Sequence, residues 1–124
     1  MQFKECYQNP FIEERADPYI TLGPDGFYYF TASYPMKSAD DKDGYDRVIL
    51  RRAKDISELA SAEEITIWKV ADTTLTHRFI WAPELHYIAG RWYVFYAGSE
   101  DKENNWAFDC HVLVCDSDDP YTCL

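Results

Sequence analysis

The sequence of 124 residues has no long hydrophobic run and no excess of basic residues. No stretch approaches the roughly 20 apolar residues of a membrane-spanning helix, and residues 1–11 lack the basic segment and apolar run of a signal peptide. Acidic residues outnumber basic ones by 22 to 12, and the net charge is −10. Nucleic acids are bound through Lys and Arg, which displace counterions from phosphates. We therefore expect a cytoplasmic protein with no nucleic-acid or membrane partner.

Metal-binding patterns are also missing. The cysteines and histidines of the sequence are Cys6, Cys110, Cys115, Cys123, His77, His86 and His111. They form no CxxC pair and no spacing typical of a zinc site. Cys110 and Cys115 are five residues apart, so on one strand their side chains point to opposite faces and cannot pair. We expect reduced, structural thiols, no metal and no cofactor.

Aromatic residues are abundant, at 17% of the chain, with ten Tyr, seven Phe and four Trp. Their flat faces cover apolar C–H patches of sugars while their polar tips reach hydroxyl groups, so this composition suits carbohydrate binding. A β-rich core packed with aromatic residues explains the same composition. The hydrophobic fraction of 47% indicates in either case a chain that folds.

Two segments follow one plan. Residues 17–33 predict a hairpin of two aromatic, β-branched strands around a turn at residues 23–26. Residues 82–98 repeat it, with a carboxylate near a proline, a short strand, a glycine turn and an aromatic strand. The turn glycines Gly26 and Gly90 lie 64 residues apart, which fits one four-stranded unit with long loops.

Further strands complete the repeat. Residues 46–53 and 64–68 predict the third and fourth strands of the first unit, with a short helical turn at 55–59, and residues 107–115 predict the third strand of the second unit. The prediction is an all-β fold, a β-propeller fragment of about two antiparallel four-stranded blades. We expect one domain over residues 1–124, with blade 1 at about 16–70 and an incomplete blade 2 at about 80–124. Two blades cannot close a ring, so an exposed blade edge predicts self-association.

Two carboxylates stand apart from the polar runs at 38–44 and 99–105, which are most simply solvated loops. Asp17 and Glu84 each begin an inner hairpin, next to proline and among apolar or aromatic neighbours. Hydrolysis of glycosidic bonds uses two carboxyl groups in one pocket, so both are candidates. Capping of turns, or pairing with one of the arginines Arg15, Arg47 or Arg78, is the alternative.

Several strings, in order, resemble glycoside hydrolase family 43. They are residues 9–20, which contain Asp17-Pro18, then 26–33, 50–53, 80–86 (Ile-Trp-Ala-Pro-Glu-Leu-His) and 90–93. The resemblance covers nearly the whole chain. It implies a five-bladed propeller and an inverting mechanism.

The resemblance also implies roles for individual residues. Asp17 falls on the general base, while the acid and the carboxylate that tunes it are expected beyond Leu124. Glu84 is not assigned as the acid, and it is expected to border the pocket and contact substrate. Trp81 and Phe30 are candidates to line the substrate pocket, with core packing as the alternative for both.

The activity implied is release of arabinose from arabinan-type oligosaccharides by an exo-acting α-L-arabinofuranosidase, with β-xylosidase and endo-arabinanase as near alternatives. The partner is then an oligosaccharide or polysaccharide. Because the acid is missing, we expect no useful turnover from residues 1–124 alone. The competing interpretation is a non-catalytic carbohydrate-binding module, or one that assembles with itself to complete the ring.

Overall fold

The computed structural model describes residues 7–38, 44–72, 76, 78–101, 103–104 and 106–123. Cys6, His77 and residues 39–43 of the expected solvated loop lie outside the described residues. In the described part, regular structure is β-strand apart from 3-10 turns at Ile56–Glu58, Val70–Asp72 and Pro120–Thr122. None of these helical turns is long and apolar enough to cross a membrane. The all-β prediction is confirmed.

The first sheet contains four antiparallel strands in sequence order: β1 (Ala16–Leu22), β2 (Tyr28–Ser33), β3 (Arg47–Ala53) and β4 (Ile65–Lys69). The turn between β1 and β2 closes through a hydrogen bond of 3.0 Å from Gly26 N to Gly23 O, with Gly26 at a φ of 76°. Glycine adopts this left-handed conformation without a Cβ clash. The hairpin predicted from residues 17–33 is present.

The second sheet contains β5 (Arg78–Ile88), β6 (Arg91–Ser99) and β7 (Phe108–Cys115), also antiparallel and in sequence order. Ala89 and Gly90 connect β5 to β6 with φ values of 49° and 86°. Positive φ at both central residues is typical of the two-residue turns whose twist matches a hairpin. The two sheets therefore repeat the hairpin plan, and their division into blades at about 16–70 and 80–124 stays a prediction.

The main core lies between the two sheets. Its buried members are Tyr29, Val48, Leu50 and Ile67 from the first sheet, and Ile80, Leu85, Trp92, Val94, Tyr96 and Cys115 from the second. The rings of Tyr29 and Trp92 are 5.0 Å apart at 60°, and Trp92 Nε1 donates to Asp118 O at 3.0 Å. Full burial of one large apolar side chain stabilises a fold by roughly 1.5–3 kcal/mol. This packing holds β1 and β5 side by side.

The other face of the first sheet is covered by the segment that precedes β1. Phe11 and Ile12 from this segment pack on a buried cluster that includes Ile49 and Leu59. The segment ends in an ion cluster, in which Arg15 Nε and Arg51 Nε donate to Glu64 Oε2 at 3.1 and 3.0 Å. The central strands β2 and β3 of the first sheet are thus buried on both faces, while β1 stays largely exposed.

The other face of the second sheet is open. Alternate residues of β7 point to this face, and among them Val112 and Val114 are 50% and 48% exposed. Ile88 of β5 is 49% exposed. A blade edge of this kind can associate with another apolar surface. Self-association of the chain stays a prediction.

The expectation of reduced thiols is wrong for two of the cysteines. Cys115 and Cys123 are joined by a disulfide, with their Cα atoms 5.3 Å apart, while Cys110 is a free, exposed thiol. Cys115 ends β7 and Cys123 follows the 3-10 turn Pro120–Thr122, which folds the chain back toward the strand. Cys110 and Cys115 are not paired with each other, as their spacing on one strand predicts, whereas the pairing of Cys115 with Cys123 depends on this return of the chain.

Candidate functional site

The first strands of the two sheets, β1 and β5, lie against each other and are called the inner strands. They contain the same backbone kink, at Asp17 and at Ala82. Asp17 has a φ of 50° and Ala82 a φ of 45°, each before a proline, and the register of each strand shifts at that point. A left-handed conformation costs a residue with a Cβ about 1–2 kcal/mol. Such strain persists where the surrounding structure imposes it, and bulges of this kind re-aim side chains near active sites.

Ser33 joins the two kinks. Its side chain is completely buried at the end of β2, opposite Ala16. The Ser33 hydroxyl donates to Asp17 Oδ2 at 3.0 Å and accepts from Ala82 N at 2.8 Å. One hydroxyl therefore fixes the Asp17 carboxylate and the backbone of the second sheet together. Asp17 is otherwise exposed, so its carboxylate can reach a water or a ligand.

Glu84 lies two residues beyond the second kink and is bonded to a histidine. Its Oε2 atom is 2.9 Å from His86 Nε2, and His86 Nδ1 is 3.5 Å from the Tyr19 hydroxyl of β1. These contacts fit a His86 ring that donates through Nε2 and accepts through Nδ1. Half of the Glu84 side chain is exposed. His86 thus has partners on both ring nitrogens, as is typical of a structural histidine.

Trp81 lies directly before the second kink, in a group of aromatic rings. It stacks on Phe108 at 4.3 Å and 21°, and it contacts Tyr45 and Trp106 edge to face at 5.9 and 6.1 Å. The indole nitrogen of Trp81 is buried and has no partner among the described residues. Trp81 is joined to Ala82, so the aromatic group adjoins the Asp17–Ser33–Ala82 bridge.

Phe30 has a different position. It is 1% exposed and packs with Ala32, Ile49 and Leu59 on the outer core of the first sheet. The arrangement matches the core-packing alternative, and a contact of Phe30 with substrate stays a prediction. Asp17 thus lies at one of the two kinks that Ser33 joins, and Trp81 and Glu84 lie within two residues of the other, while Phe30 packs in the outer core.

The chemistry available here is that of one exposed, oriented carboxylate next to an aromatic surface. Among the described residues, no three or more His, Cys, Asp or Glu side chains are placed to hold a metal ion. Sequence reasoning did not find Ser33 or Trp106. The pairing of Ala16 with Ser33 in the hairpin register places Ser33 next to Asp17. The hydrogen bond from Ser33 to the second sheet is visible only in the three-dimensional structure.

Comparisons with known proteins agree on one family. The sequence model of glycosyl hydrolases family 43 matches residues 7–122. The extracellular exo-α-(1→5)-L-arabinofuranosidase of Streptomyces avermitilis is 41% identical over 116 residues, which are 94% of this chain and 22% of that protein. The enzyme of the same name from Streptomyces chartreusis is 41% identical over 115 residues, or 93% and 32%.

A solved structure shows the same similarity in three dimensions. The α-L-arabinofuranosidase from Lactobacillus brevis superposes with a TM-score of 0.73 at 39% identity, covering 93% of this chain and 35% of that enzyme. The chain therefore spans well under half of the length of each relative.

The expected cytoplasmic location is wrong, because both Streptomyces relatives are named extracellular enzymes. A secretion signal is a leader separate from the folded domain, so the composition of the domain does not reveal the destination. The Cys115–Cys123 disulfide is of the kind that persists in oxidising, extracellular surroundings.

Proposed function

Since this chain belongs to family 43 of the glycosyl hydrolases, we propose that it supplies the general base of an exo-acting, extracellular α-L-arabinofuranosidase that acts on arabinan-type oligosaccharides. The base is Asp17. One observation carries this assignment: the carboxylate is exposed at a strained kink of an inner strand and is oriented by the buried hydroxyl of Ser33.

The reaction is inversion at the anomeric carbon. Asp17 in its ionised form removes a proton from a water molecule while the oxygen of that water bonds to the anomeric carbon. The bond from this carbon to the leaving oxygen breaks, and a carboxylic acid on the opposite side gives that oxygen its proton. The products are free arabinose of inverted configuration and a shortened oligosaccharide.

Glu84 is not the acid in this proposal. Its carboxylate is paired with His86, and half of its side chain faces solvent, whereas a general acid needs surroundings that keep it protonated. We assign Glu84 and Trp81 to substrate contacts and place the acid outside residues 1–124. In inverting enzymes the two carboxyl groups are about 6.5–9.5 Å apart, which leaves room for the water.

The test uses this chain alone and a hybrid enzyme in which residues 7–122 replace the matching segment of the Streptomyces avermitilis relative. We expect the hybrid to release p-nitrophenol from the α-L-arabinofuranoside in preference to the β-D-xyloside, and the chain alone to release none. Asp17→Asn should lower kcat/KM of the hybrid by about 10²–10⁴-fold, the usual loss for a positioned base. Proton NMR of the first product formed should show the inverted anomer.

Glu63→Gln is the matched control, because it removes one negative charge at an exposed position. It should leave kcat/KM within about twofold of the parent hybrid. An Asp17→Asn hybrid as active as this control contradicts the assignment of the base. Hydrolysis by residues 1–124 alone, lost on Glu84→Gln, contradicts the placement of the acid. If the chain binds arabino-oligosaccharides and Asp17 has no effect on hydrolysis, the non-catalytic interpretation is the better one.

A further inference from the structure

Trp106 is an exposed indole next to the candidate site. Trp106 is 79% exposed, which is more than the 58% of Leu22, another exposed hydrophobic residue. A single exposed apolar side chain is ordinary on a protein surface. Trp106 differs because it borders the group of rings around Trp81 and belongs to a turn with defined hydrogen bonds.

The turn that carries Trp106 is organised by Asn104. Asn104 Oδ1 accepts from Trp106 N at 3.1 Å, and the Asn104 carbonyl accepts from Ala107 N at 3.0 Å and from the Ser99 hydroxyl at 3.3 Å. Ser99 is completely buried at the end of β6. The backbone under the indole is therefore tied to the second sheet.

The indole is also supported by other rings. Trp81 and Phe108 meet it edge to face, with ring centroids 6.1 and 6.3 Å away and planes inclined at 64° and 62°. Edge contacts of this type are favourable and fix the orientation of a ring. Because the ring is still 79% exposed, it offers a flat apolar surface to a ligand.

The position of this surface relative to Asp17 follows from three contacts. Trp106 contacts Trp81, which is joined to Ala82, and the Ala82 amide is bonded to the hydroxyl that orients Asp17. The indole of Trp106 is thus linked to the Asp17 carboxylate through Trp81, Ala82 and Ser33.

We propose that Trp106 forms a stacking subsite for a pentose unit of the leaving group, supported by Trp81 and Phe108. The ligand class is an arabino-oligosaccharide, whose C–H faces pack on the indole. The placement of this pentose in the leaving group rests on the proposed function. An exo-acting enzyme holds one terminal sugar on one side of the cleaved bond, and all other units belong to the leaving group.

Binding is measured first, on residues 1–124. We expect titration with α-(1→5)-linked L-arabinotriose to shift the indole N–H signal of Trp106 in a proton–nitrogen NMR spectrum, with weaker binding of xylotriose. Trp106→Ala should weaken arabinotriose binding, followed on the remaining indole signals, by at least about tenfold. Trp106→Phe should retain part of it. Leu22→Ala is the matched control, since Leu22 is also exposed but lies at the end of β1 away from Asp17. An unmoved Trp106 signal at saturating arabinotriose contradicts the subsite.

Kinetics then locate the subsite. In the hybrid enzyme, Trp106→Ala should raise KM for arabinotriose by about tenfold and leave kcat/KM for methyl α-L-arabinofuranoside, whose leaving group is too small to stack on the indole, within twofold. Equal losses of kcat/KM on both substrates contradict the placement of the subsite on the leaving-group side of the cleaved bond. Binding at Trp106 without Asp17-dependent hydrolysis overturns the proposed function and leaves the subsite, whereas Asp17-dependent hydrolysis without binding at Trp106 overturns the subsite alone.

Discussion

The inner strands β1 and β5 have the same backbone at corresponding points but different side chains. Both turn into a left-handed conformation directly before a proline, at φ values of 50° and 45°. The first sheet has Asp17 there, and the second has Ala82. The kink is therefore a property of the repeated fold and does not require a carboxylate. The two positions differ in their side chains, and the proposed chemistry depends on the carboxylate at position 17.

The two kinks are also held differently. Before Asp17, Arg15 reaches across to Glu64 on the outer side of the first sheet. Before Ala82, the amide of Ile80 donates to the carbonyl of Tyr45 at 2.8 Å, so the backbone itself makes the anchor. Ser33 is the contact that both kinks share. An ion cluster can be weakened by pH, whereas a backbone hydrogen bond cannot, and this gives each anchor its own test.

Moving the carboxylate from one kink to the other should produce the largest effect. In the hybrid enzyme, Asp17→Ala should lower kcat/KM by about 10²–10⁴-fold. Adding Ala82→Asp should restore none of this loss, because the new carboxylate begins from a different strand and the base must lie within hydrogen-bond reach of its water. Release of arabinose is measured for the parent, both single variants and the double variant.

Ala82→Asp alone is the control for disruption of the second kink. It should keep the hybrid folded, as judged by circular dichroism. Recovery of the double variant to within about tenfold of the parent contradicts a specific role for position 17 and indicates that either kink can present the base.

Removing the shared contact should produce the next largest effect. Ser33→Ala removes the hydrogen bond between the Ser33 hydroxyl and the Ala82 amide, and the loss of such a bond destabilises by about 0.5–1.5 kcal/mol. It also frees the carboxylate of Asp17. Because a hydrogen bond to a charged group contributes about 1.5–3 kcal/mol, kcat of the hybrid should fall by about 10–100-fold, with a smaller change in KM. Urea unfolding of residues 1–124 measures the first effect, and hydrolysis measures the second.

Ser61→Ala is the matched control for Ser33→Ala, because the Ser61 hydroxyl makes an exposed bond to the carbonyl of Glu58. It should change neither quantity measurably. A Ser33→Ala variant that loses stability but keeps the kcat of the parent contradicts a positioning role for Ser33.

Local patterns in the sequence predict much of this fold. Aromatic and β-branched runs around Gly26 and Gly90 predict both hairpins, and the Asp17-Pro18 string marks the first inner strand. The bridge through Ser33 was not predicted, because it depends on how two sheets pack. The burial of Phe30 could not be decided from the sequence for the same reason. Alternation along a strand assigns side chains to two faces of the sheet but does not show that both faces are covered. The Cys115–Cys123 pair depends on a turn after the strand ends.

The anchor of the first kink should respond to pH. Burial opposes ionisation of Glu64, but the hydrogen bonds and charges of Arg15 and then Arg51 outweigh it and lower the pKa of Glu64 below its ordinary 4.5. Because the folded value is the lower one, the stabilisation is full above pH 4.5 and is lost as the pH falls through the folded value. Glu64→Gln should therefore destabilise residues 1–124 by about 1–2 kcal/mol at pH 7 and by less near pH 3.

Urea unfolding at both pH values measures this change, and the exposed Glu63→Gln serves as its matched control, because it removes the same charge without an ion pair in the cluster. The control should be within about 0.5 kcal/mol of the parent at either pH. A destabilisation by Glu64→Gln that stays constant from pH 7 to pH 3 contradicts the role of ionised Glu64 as the anchor.

The smallest expected effect concerns the backbone of the second kink. Ala82 has a φ of 45°, where its Cβ is strained, so Ala82→Gly should stabilise residues 1–124 by up to about 1 kcal/mol. Ala97→Gly, in the extended part of β6, should instead destabilise by roughly 0.5–1 kcal/mol, because glycine loses more conformational freedom there. Each change removes one alanine methyl group. Opposite signs of the change in unfolding free energy, measured by urea unfolding, therefore isolate the contribution of the backbone conformation at the kink. Destabilisation by both would mean that the Ala82 methyl group packs more favourably than its backbone is strained. The repeated kink would then be sustained by local side-chain contacts, and the bridge through Ser33 would be a consequence of the kink rather than its cause.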